Sequence, residues 1–330
     1  MAATYVIALS DSAAGCLKAA GIGDRVLAVT DDLMEGPCPP DDDVGKFARG
    51  RRAAVLARLG PYEPETFSVA QTDRWLGRIG ESQSFANVDI WADPSPASQL
   101  RLLLVLHVLS RMRIGMDGVA IVHANALFGE QEPEQTPRYA KLRQPLNDRQ
   151  RGLAETAWSA LRAETPERWA ALLQQSLSPL PYLGGCIRRV LEELPAPVDG
   201  LSRTERQVLS LIAGGQSQPY RVLAAVHDDP ATPRLLDYWE LGRLLDRLAN
   251  PAAPLILGLG EGPFTAAMHD DARRLAAWKS STLQPTKLGR ALLDGRDDYT
   301  RLRPIDRWLG GTHLTPANLW RWTGTTLSRD

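Results

Sequence analysis

The chain has 330 residues, of which 44% are hydrophobic and 23% are charged, and its formal net charge at pH 7 is -1. This composition is typical of a globular protein with two or three domains and a sizeable core. The near-zero charge excludes a global attraction to nucleic acid or to an anionic membrane. No apolar run approaches the roughly 20 residues that span a bilayer, and the first residues lack the basic stretch of a signal peptide. Cys16, Cys38 and Cys186 lie far apart, which excludes a zinc-ribbon pattern and argues against a disulfide scaffold, so we expect a cytoplasmic protein.

The first third of the chain alternates strand patterns with helical patterns. Short apolar runs predict buried strands at residues 5–9, 25–29, 88–91 and 118–123. Helical patterns cover residues 13–20, 44–59, 69–79 and 96–112. Strands separated by helices favour a parallel sheet with right-handed crossovers. We therefore predict an α/β fold with a small open, Rossmann-like parallel sheet over residues 1–130.

Beyond residue 130 the pattern becomes mainly helical. A linker rich in Pro, Glu and Gln covers residues 130–145. We place this linker, together with a helical bridge that follows it, at 131–199. From residue 200 onward, helices are predicted at 203–213, 220–226, 237–248 and 286–293. A strand at 254–259 is expected to form a hairpin with residues 272–279. Three helices followed by a two-stranded wing predict a winged-helix-like α+β domain over 200–330, which ends in a Trp-rich tail.

Polar side chains follow the predicted strands. In an open parallel sheet, ligands bind beyond the carboxyl ends of the strands. The candidate catalytic residues at these ends are Asp11, Asp31, Asp32, Asp93 and His123. The candidate ligand-binding residues are Ser10, Ser12, Gly15, Thr30 and Asn125, with Trp308 and His313 from the tail. The helix that begins near Ser10 would suit a phosphate or carboxylate, because its amides and its dipole are positive there. Alternatively, Ser12 or Asp11 simply caps that helix.

Each candidate also has a structural alternative. Asp31 and Asp32, together with Asp11, form a set that could bind Mg²⁺, or they are turn and cap residues of a solvated loop. Acid pairs could also serve as general acid and base if burial separated their pKa values. His123 is either a general base or a structural histidine. The stretch with Trp308 and His313 either covers the cleft or docks the tail.

Several motifs resemble those of one protein family. They are SDSAAGCLK at residues 10–18, DDLMEGP at 31–37, IWAD at 90–93 followed by QL at 99–100, and DRWLGGTHL at 306–314 with WRW at 320–322. On these residues the chain resembles bacterial proteins that carry the domain of unknown function 1835, and the likeness spans nearly the whole chain. The family implies no established activity. Relatives often have Trp-Phe-Glu-His-Asp after the third strand, whereas Ala92 and Asp93 follow Trp91 here, so any chemistry of those groups would be lost or altered in this chain.

These patterns predict a small-molecule-binding protein, and more specifically an enzyme acting on an anionic, phosphorylated or nucleotide-like ligand by hydrolysis or group transfer. One alternative is a ligand-sensing regulator that binds nucleic acid through residues 200–295. Residues 200–330 contain 17 Lys and Arg against 14 Asp and Glu, which is weak for a DNA-binding surface. Another alternative is an interaction scaffold that uses the Trp-rich tail. The sequence makes no prediction about oligomeric state.

Overall fold

The computed structural model describes residues 2–34, 36–40, 42–59, 75–112, 116–227 and 238–329. Contacts divide the chain into two units, of which the first comprises Met1–Arg188 and Trp308–Thr312 and the second Arg189–Arg307 and His313–Asp330. Residues 131–188, which the sequence analysis placed in a linker and a bridge, therefore belong by their contacts to the first unit. Among the described residues, no helix is long and apolar enough to cross a membrane.

The first unit is built on a mostly parallel sheet, which confirms the predicted α/β fold. Its strands are β1 (Thr4–Ala8), β2 (Arg25–Ala28), β3 (Asn87–Ala92), β4 (Val119–His123) and β5 (Arg143–Pro145), in the order β2-β1-β3-β4-β5. The first four strands are parallel, and β5 runs antiparallel to β4. The sequence analysis missed β5, because a three-residue segment that contains a proline has the pattern of a linker.

Helices and short 3₁₀ turns surround this sheet. The helices of the first unit are α1 (Asp11–Ala19), α2 (Val44–Leu59), α3 (Pro96–Arg111), α4 (Asp148–Leu161), α5 (Glu167–Ala171) and α6 (Leu183–Leu191), whose last turn enters the second unit. The 3₁₀ turns include Phe128–Glu130 and Pro133–Leu142. Of the helix predicted over 69–79, residues 69–74 lie outside the described part, and residues 75–79 are helical.

Both faces of the sheet are buried, as expected for parallel strands between helices. Ala8, Trp91 and Val122 are partners across the sheet and pack, with Phe128, against the apolar side of α1. The alternate residues, which include Ile7 and Ile90, face the opposite side and are also buried. The sheet is therefore a rigid support for the turns that follow its strands.

The second unit has a helical core with a small strand pair. Its helices are α7 (Arg203–Ala213), α8 (Pro219–His227), α9 (Tyr238–Leu248), α10 (Ala266–Asp270), α11 (Ala272–Lys279), α12 (Lys287–Leu293) and α13 (Tyr299–Leu302). The strands β6 (Ile256–Leu257) and β7 (Gln284–Pro285) pair antiparallel. Asp237, the first residue of the helix predicted over 237–248, lies outside the described part.

The expected hairpin partner of β6 is wrong, because residues 272–279 form helix α11 and the partner is β7. The Asp271 carboxylate accepts the amides of Arg273 and Arg274 at 2.9 and 3.1 Å, and this cap begins the helix. Two helices thus stand between the paired strands. The winged-helix assignment stays a prediction.

The Trp-rich tail forms short strands, namely β8 (Arg307–Leu309), β9 (Thr312–Leu314), β10 (Trp320–Trp322) and β11 (Leu327–Arg329). In the second unit, β10 pairs antiparallel with β11, and Trp320 and Trp322 are both buried. Arg321 between them is buried too and donates to the Asp298 carboxylate at 2.8 Å. These two indoles therefore pack inward rather than offering a surface to a partner.

Candidate functional site

The order of the strands defines where a ligand would approach the first unit. From β1 the chain passes through α1 to β2 on one side, and from β3 it passes through α3 to β4 on the other. The crossovers therefore diverge between β1 and β3, which are neighbours in the sheet. Open α/β sheets bind ligands at such a point, beyond the carboxyl ends of the strands. We call residues 10–12 and 93–95 the switch-point turns.

The turn after β1 begins helix α1. Ser10 is the cap, because its Oγ accepts the Ala13 amide at 3.0 Å. Asp11 and Ser12, the two caps that the sequence suggested, are both exposed in the first turn of the helix. A Cβ added to Gly129 would lie 2.7 Å from the Ser12 Cβ, so the 3₁₀ turn after β4 packs closely against this helix end.

The turn after β3 holds a buried carboxyl group. Asp93 is 8% exposed, and its Oδ1 accepts the amide and the hydroxyl of Ser95 at 2.9 and 2.6 Å. Ser95 in turn caps α3 through the Ser98 amide. Burial raises the pKa of Asp93, and the hydrogen bonds from Ser95, Ser98 and the Phe128 amide oppose this only in part. Asp93 is therefore fixed in place and binds a proton more readily than an exposed aspartate does.

An arginine of α3 connects two chain segments at the same edge of the sheet. Arg101 donates from Nη1 to the Leu9 carbonyl and from Nε to the Asp31 carbonyl, both at 2.8 Å. Its guanidinium thus bridges the segments that follow β1 and β2. The sequence analysis missed Arg101, although a charged residue in the strongly apolar stretch of α3 is a visible feature of the sequence.

Asp31 forms an ion pair with a buried arginine. Its carboxylate receives Arg51 Nη2 at 2.8 Å and Nε at 3.4 Å, and Arg51 is 0% exposed. Arg51 also donates to the carbonyls of Asp32 and Pro37. Replacing Asp31 by Asn would therefore disturb a buried ion pair and would not isolate an effect on ligand binding.

Asp32, from the Mg²⁺ hypothesis, and the ligand-binding candidate Thr30 are neighbours of Asp31 in the chain. Asp32 accepts the Met34 amide at 3.2 Å, as a turn residue does, and Thr30 is partly buried just before the ion pair. Across the part of the chain that the structure describes, no group of three or more His, Cys, Asp or Glu side chains is arranged to bind a metal. The turn alternative thus fits Asp32, whereas Asp31 lies in a buried ion pair and not in a solvated loop.

His123 ends β4 on the other face of the sheet. It pairs with Ala92, whereas Trp91 and Val122 face α1, so the imidazole points away from Phe128 and from Asp93. Its ring lies edge to face with Tyr182 at 5.8 Å. Burial lowers the pKa of His123 to about 4, and its Nε2 has no hydrogen-bond partner among the described residues. The imidazole is neutral at pH 7, but the structure does not place it with Asp93.

The remaining candidates are spread over the molecule. Asn125 is exposed after β4, and Gly15 is exposed within α1 with nothing within 4 Å of an added Cβ. Trp308 belongs to the first unit and is partly exposed, while His313 belongs to the second, where its Nε2 is 2.7 Å from Asp306 Oδ1. The structure thus brings Ser10, Ser12 and Asp93 to one edge of the sheet, together with Arg101.

A scan of the chain against protein-family models gives no match, and a search of the curated proteins gives none. Membership of the family that the motifs resemble stays a prediction.

Proposed function

We propose that the first unit is an enzyme that binds a small anionic ligand at the switch-point turns and acts on it by hydrolysis or group transfer. The observation that supports this best is the start of two helices, α1 and α3, at neighbouring strand ends where the crossovers diverge. Helix N-termini carry partial positive charge and free amides, which favour phosphate and carboxylate groups. Arg101 adds a full positive charge at the same edge.

The exposed side chains of the first turn suggest which ligand fits. Asp11 presents a carboxylate and Ser12 a hydroxyl, and both are exposed. A carboxylate repels a second anion but accepts hydrogen bonds from sugar hydroxyls. A ligand with one anionic group and several hydroxyls, such as a sugar phosphate or a nucleotide, satisfies both features.

Asp93 is the residue that we assign to the chemistry. Burial raises the pKa of Asp93, which favours the protonated form that a general acid needs to protonate a leaving oxygen. Water as the acceptor would give hydrolysis, and a hydroxyl of a second substrate would give group transfer. His123 is a neutral base by its pKa, but it lies on the opposite face of the sheet and takes no part in this proposal.

Thermal unfolding of the whole chain with a set of sugar phosphates, nucleotides and their neutral counterparts tests the binding step. We expect the anionic compounds to raise the unfolding temperature, because a ligand of the native state stabilises it. In Ser12→Asp the added carboxylate should repel the anionic compounds and abolish the rise in unfolding temperature. The helix itself should stay stable, because an acidic residue in the first turn of α1 is favourable. Ser178→Asp, an exposed serine elsewhere in the first unit, is the matched control.

Asp93→Asn separates chemistry from binding. This variant should still bind the compound that stabilises the natural chain, but it should no longer convert it, as product analysis would show. Equal stabilisation by the neutral compounds, or undiminished binding by Ser12→Asp, would refute the anion site.

A further inference from the structure

Aromatic rings from three helices of the second unit form a continuous strip. Tyr220 of α8 stacks on Tyr238 of α9, with ring centroids 5.7 Å apart and planes 20° apart. Tyr238 also contacts Trp239 at 5.6 Å and His269 of α10 at 5.9 Å, and Trp239 and His269 are 4.9 Å apart. We call these four residues the ring strip.

The ring strip is accessible and rests on a rigid base. Tyr220 is 43% exposed, and the other three rings are partly exposed. Beneath them lie two buried rings, because Tyr238 contacts Phe264 at 5.2 Å and Trp278 at 5.8 Å. A planar group arriving from solvent would therefore meet rings that are already fixed in position.

Cations border the exposed end of the strip. Lys279 of α11 places its Nζ 5.4 Å from the centroid of the Tyr220 ring, and Arg221 follows Tyr220 on α8. Helices α8 and α11 pack against each other, and their sequences include Arg221, Arg273, Arg274 and Lys279 but no Asp or Glu.

These cations differ in their pairing. Arg274 pairs with Glu261 at 3.2 Å. Arg221, Arg273 and Lys279 are exposed and make no ion pair with an acidic side chain in the described part of the chain. Two of the nearby acids already have partners, since Asp271 caps α11 and Asp270 lies 3.5 Å from His269.

We propose that the ring strip and its bordering cations bind single-stranded nucleic acid. One unpaired base would displace Lys279 from its position over the Tyr220 ring and stack there, and another would stack on Trp239. Lys279 and Arg221 would then contact the phosphates. Exposed rings favour unpaired bases, because the bases of a duplex are already stacked on one another. Helix α9, where a winged-helix protein would read a duplex, instead begins with Tyr238, Trp239 and Glu240. This proposal is independent of the ligand site in the first unit.

Fluorescence anisotropy with a labelled oligothymidylate of about 20 nucleotides, at about 50 mM salt, tests the proposal. The full chain should bind this single strand more tightly than a duplex of the same length. Tyr220→Ala should weaken binding about fivefold or more, because stacking of each base contributes substantially to affinity. Tyr220→Phe keeps the ring and should bind as the natural chain does, which separates the ring from the hydroxyl. An unfolding temperature of Tyr220→Ala close to that of the natural chain shows that this variant is folded.

The salt dependence tests the phosphate contacts. Lys279→Gln should reduce the slope of log affinity against log salt by about 0.7, the contribution of one phosphate in a single strand. Lys287→Gln, an exposed lysine on α12, makes the same charge change away from the rings and should leave the slope unchanged. Absence of binding at low salt, or Tyr220→Ala binding as tightly as the natural chain, would overturn the proposal.

Discussion

At the scale of single residues, the neutral imidazole of His123 makes the stability of the first unit depend on pH. Burial lowers its pKa from 6.5 to about 4 in the folded chain. Between these values the unfolded chain binds a proton that the folded chain does not. The free energy of unfolding therefore has its full value above about pH 6.5 and falls as the pH decreases towards about 4, by at most about 3 kcal/mol.

We expect His123→Asn to weaken this dependence. Urea unfolding at about pH 7.5 and about pH 5 should show the natural chain losing roughly 2 kcal/mol at the lower pH, and the variant losing less. Part of the loss will remain, because burial also lowers the pKa of His107. An identical loss in both proteins would show that the His123 imidazole does not resist protonation in the folded chain.

Residue roles were predictable where they depend on neighbours in the sequence. A helix that begins near Ser10 and an acidic group at Asp93 follow from the ends of apolar runs, and both lie at the switch-point turns. The cap itself is Ser10, whereas the sequence suggested one of the two residues that follow it. Asp31 also ends such a run, but its role depends on Arg51, twenty residues later in the chain. A buried ion pair between distant residues has no periodic pattern in the sequence, so the metal hypothesis could not be excluded before the fold was known.

At the scale of elements, two glycines near the candidate site should respond oppositely to the same change. Gly15→Ala should stabilise α1 by about 0.5–1 kcal/mol, because the added Cβ meets nothing within 4 Å and alanine favours a helix. Gly129→Ala should destabilise the first unit by about 1–3 kcal/mol, because its Cβ would lie 2.7 Å from the Ser12 Cβ and the turn must move. Urea midpoints of the two variants measure both effects, and a change of the same sign in both would contradict this packing.

The elements that the sequence predicted well have strong local start signals. Helix α7 has the predicted bounds, 203–213, because Ser202 and Glu205 form a capping box at its start. Helix α11 was missed because its eight residues are too few to show a clear helical period. Strand β7 has two residues, one of them Pro285, and its pairing with β6 is a tertiary contact that no local pattern reveals.

At the scale of the whole molecule, each unit takes residues from distant parts of the chain. Residues 308–312 return to the first unit, where the Gly310 carbonyl accepts the Cys38 amide and the Gly311 amide donates to the Leu161 carbonyl, both at 2.8 Å. A Cβ on Gly311 would lie 2.1 Å from the Arg162 carbonyl oxygen, so this contact requires glycine. The sequence left open whether this stretch covers the cleft or docks the tail, because a close approach to a backbone more than a hundred residues away leaves no pattern in its neighbourhood.

Ending the chain after Arg307 should therefore destabilise both units. In the first unit, the Cys38 amide loses its partner at Gly310 and should exchange its hydrogen faster. In the second unit, the buried Asp298 loses Arg321, an effect worth about 3 kcal/mol or more when one member of a buried pair is removed. Hydrogen exchange and urea unfolding measure the two effects. The control is a chain that ends after Gly324, which lacks β11 but keeps residues 308–312 and Arg321. Unchanged protection of Cys38 in the shorter chain would mean that residues 308–312 do not stabilise the first unit, and that its fold is complete within residues 1–188.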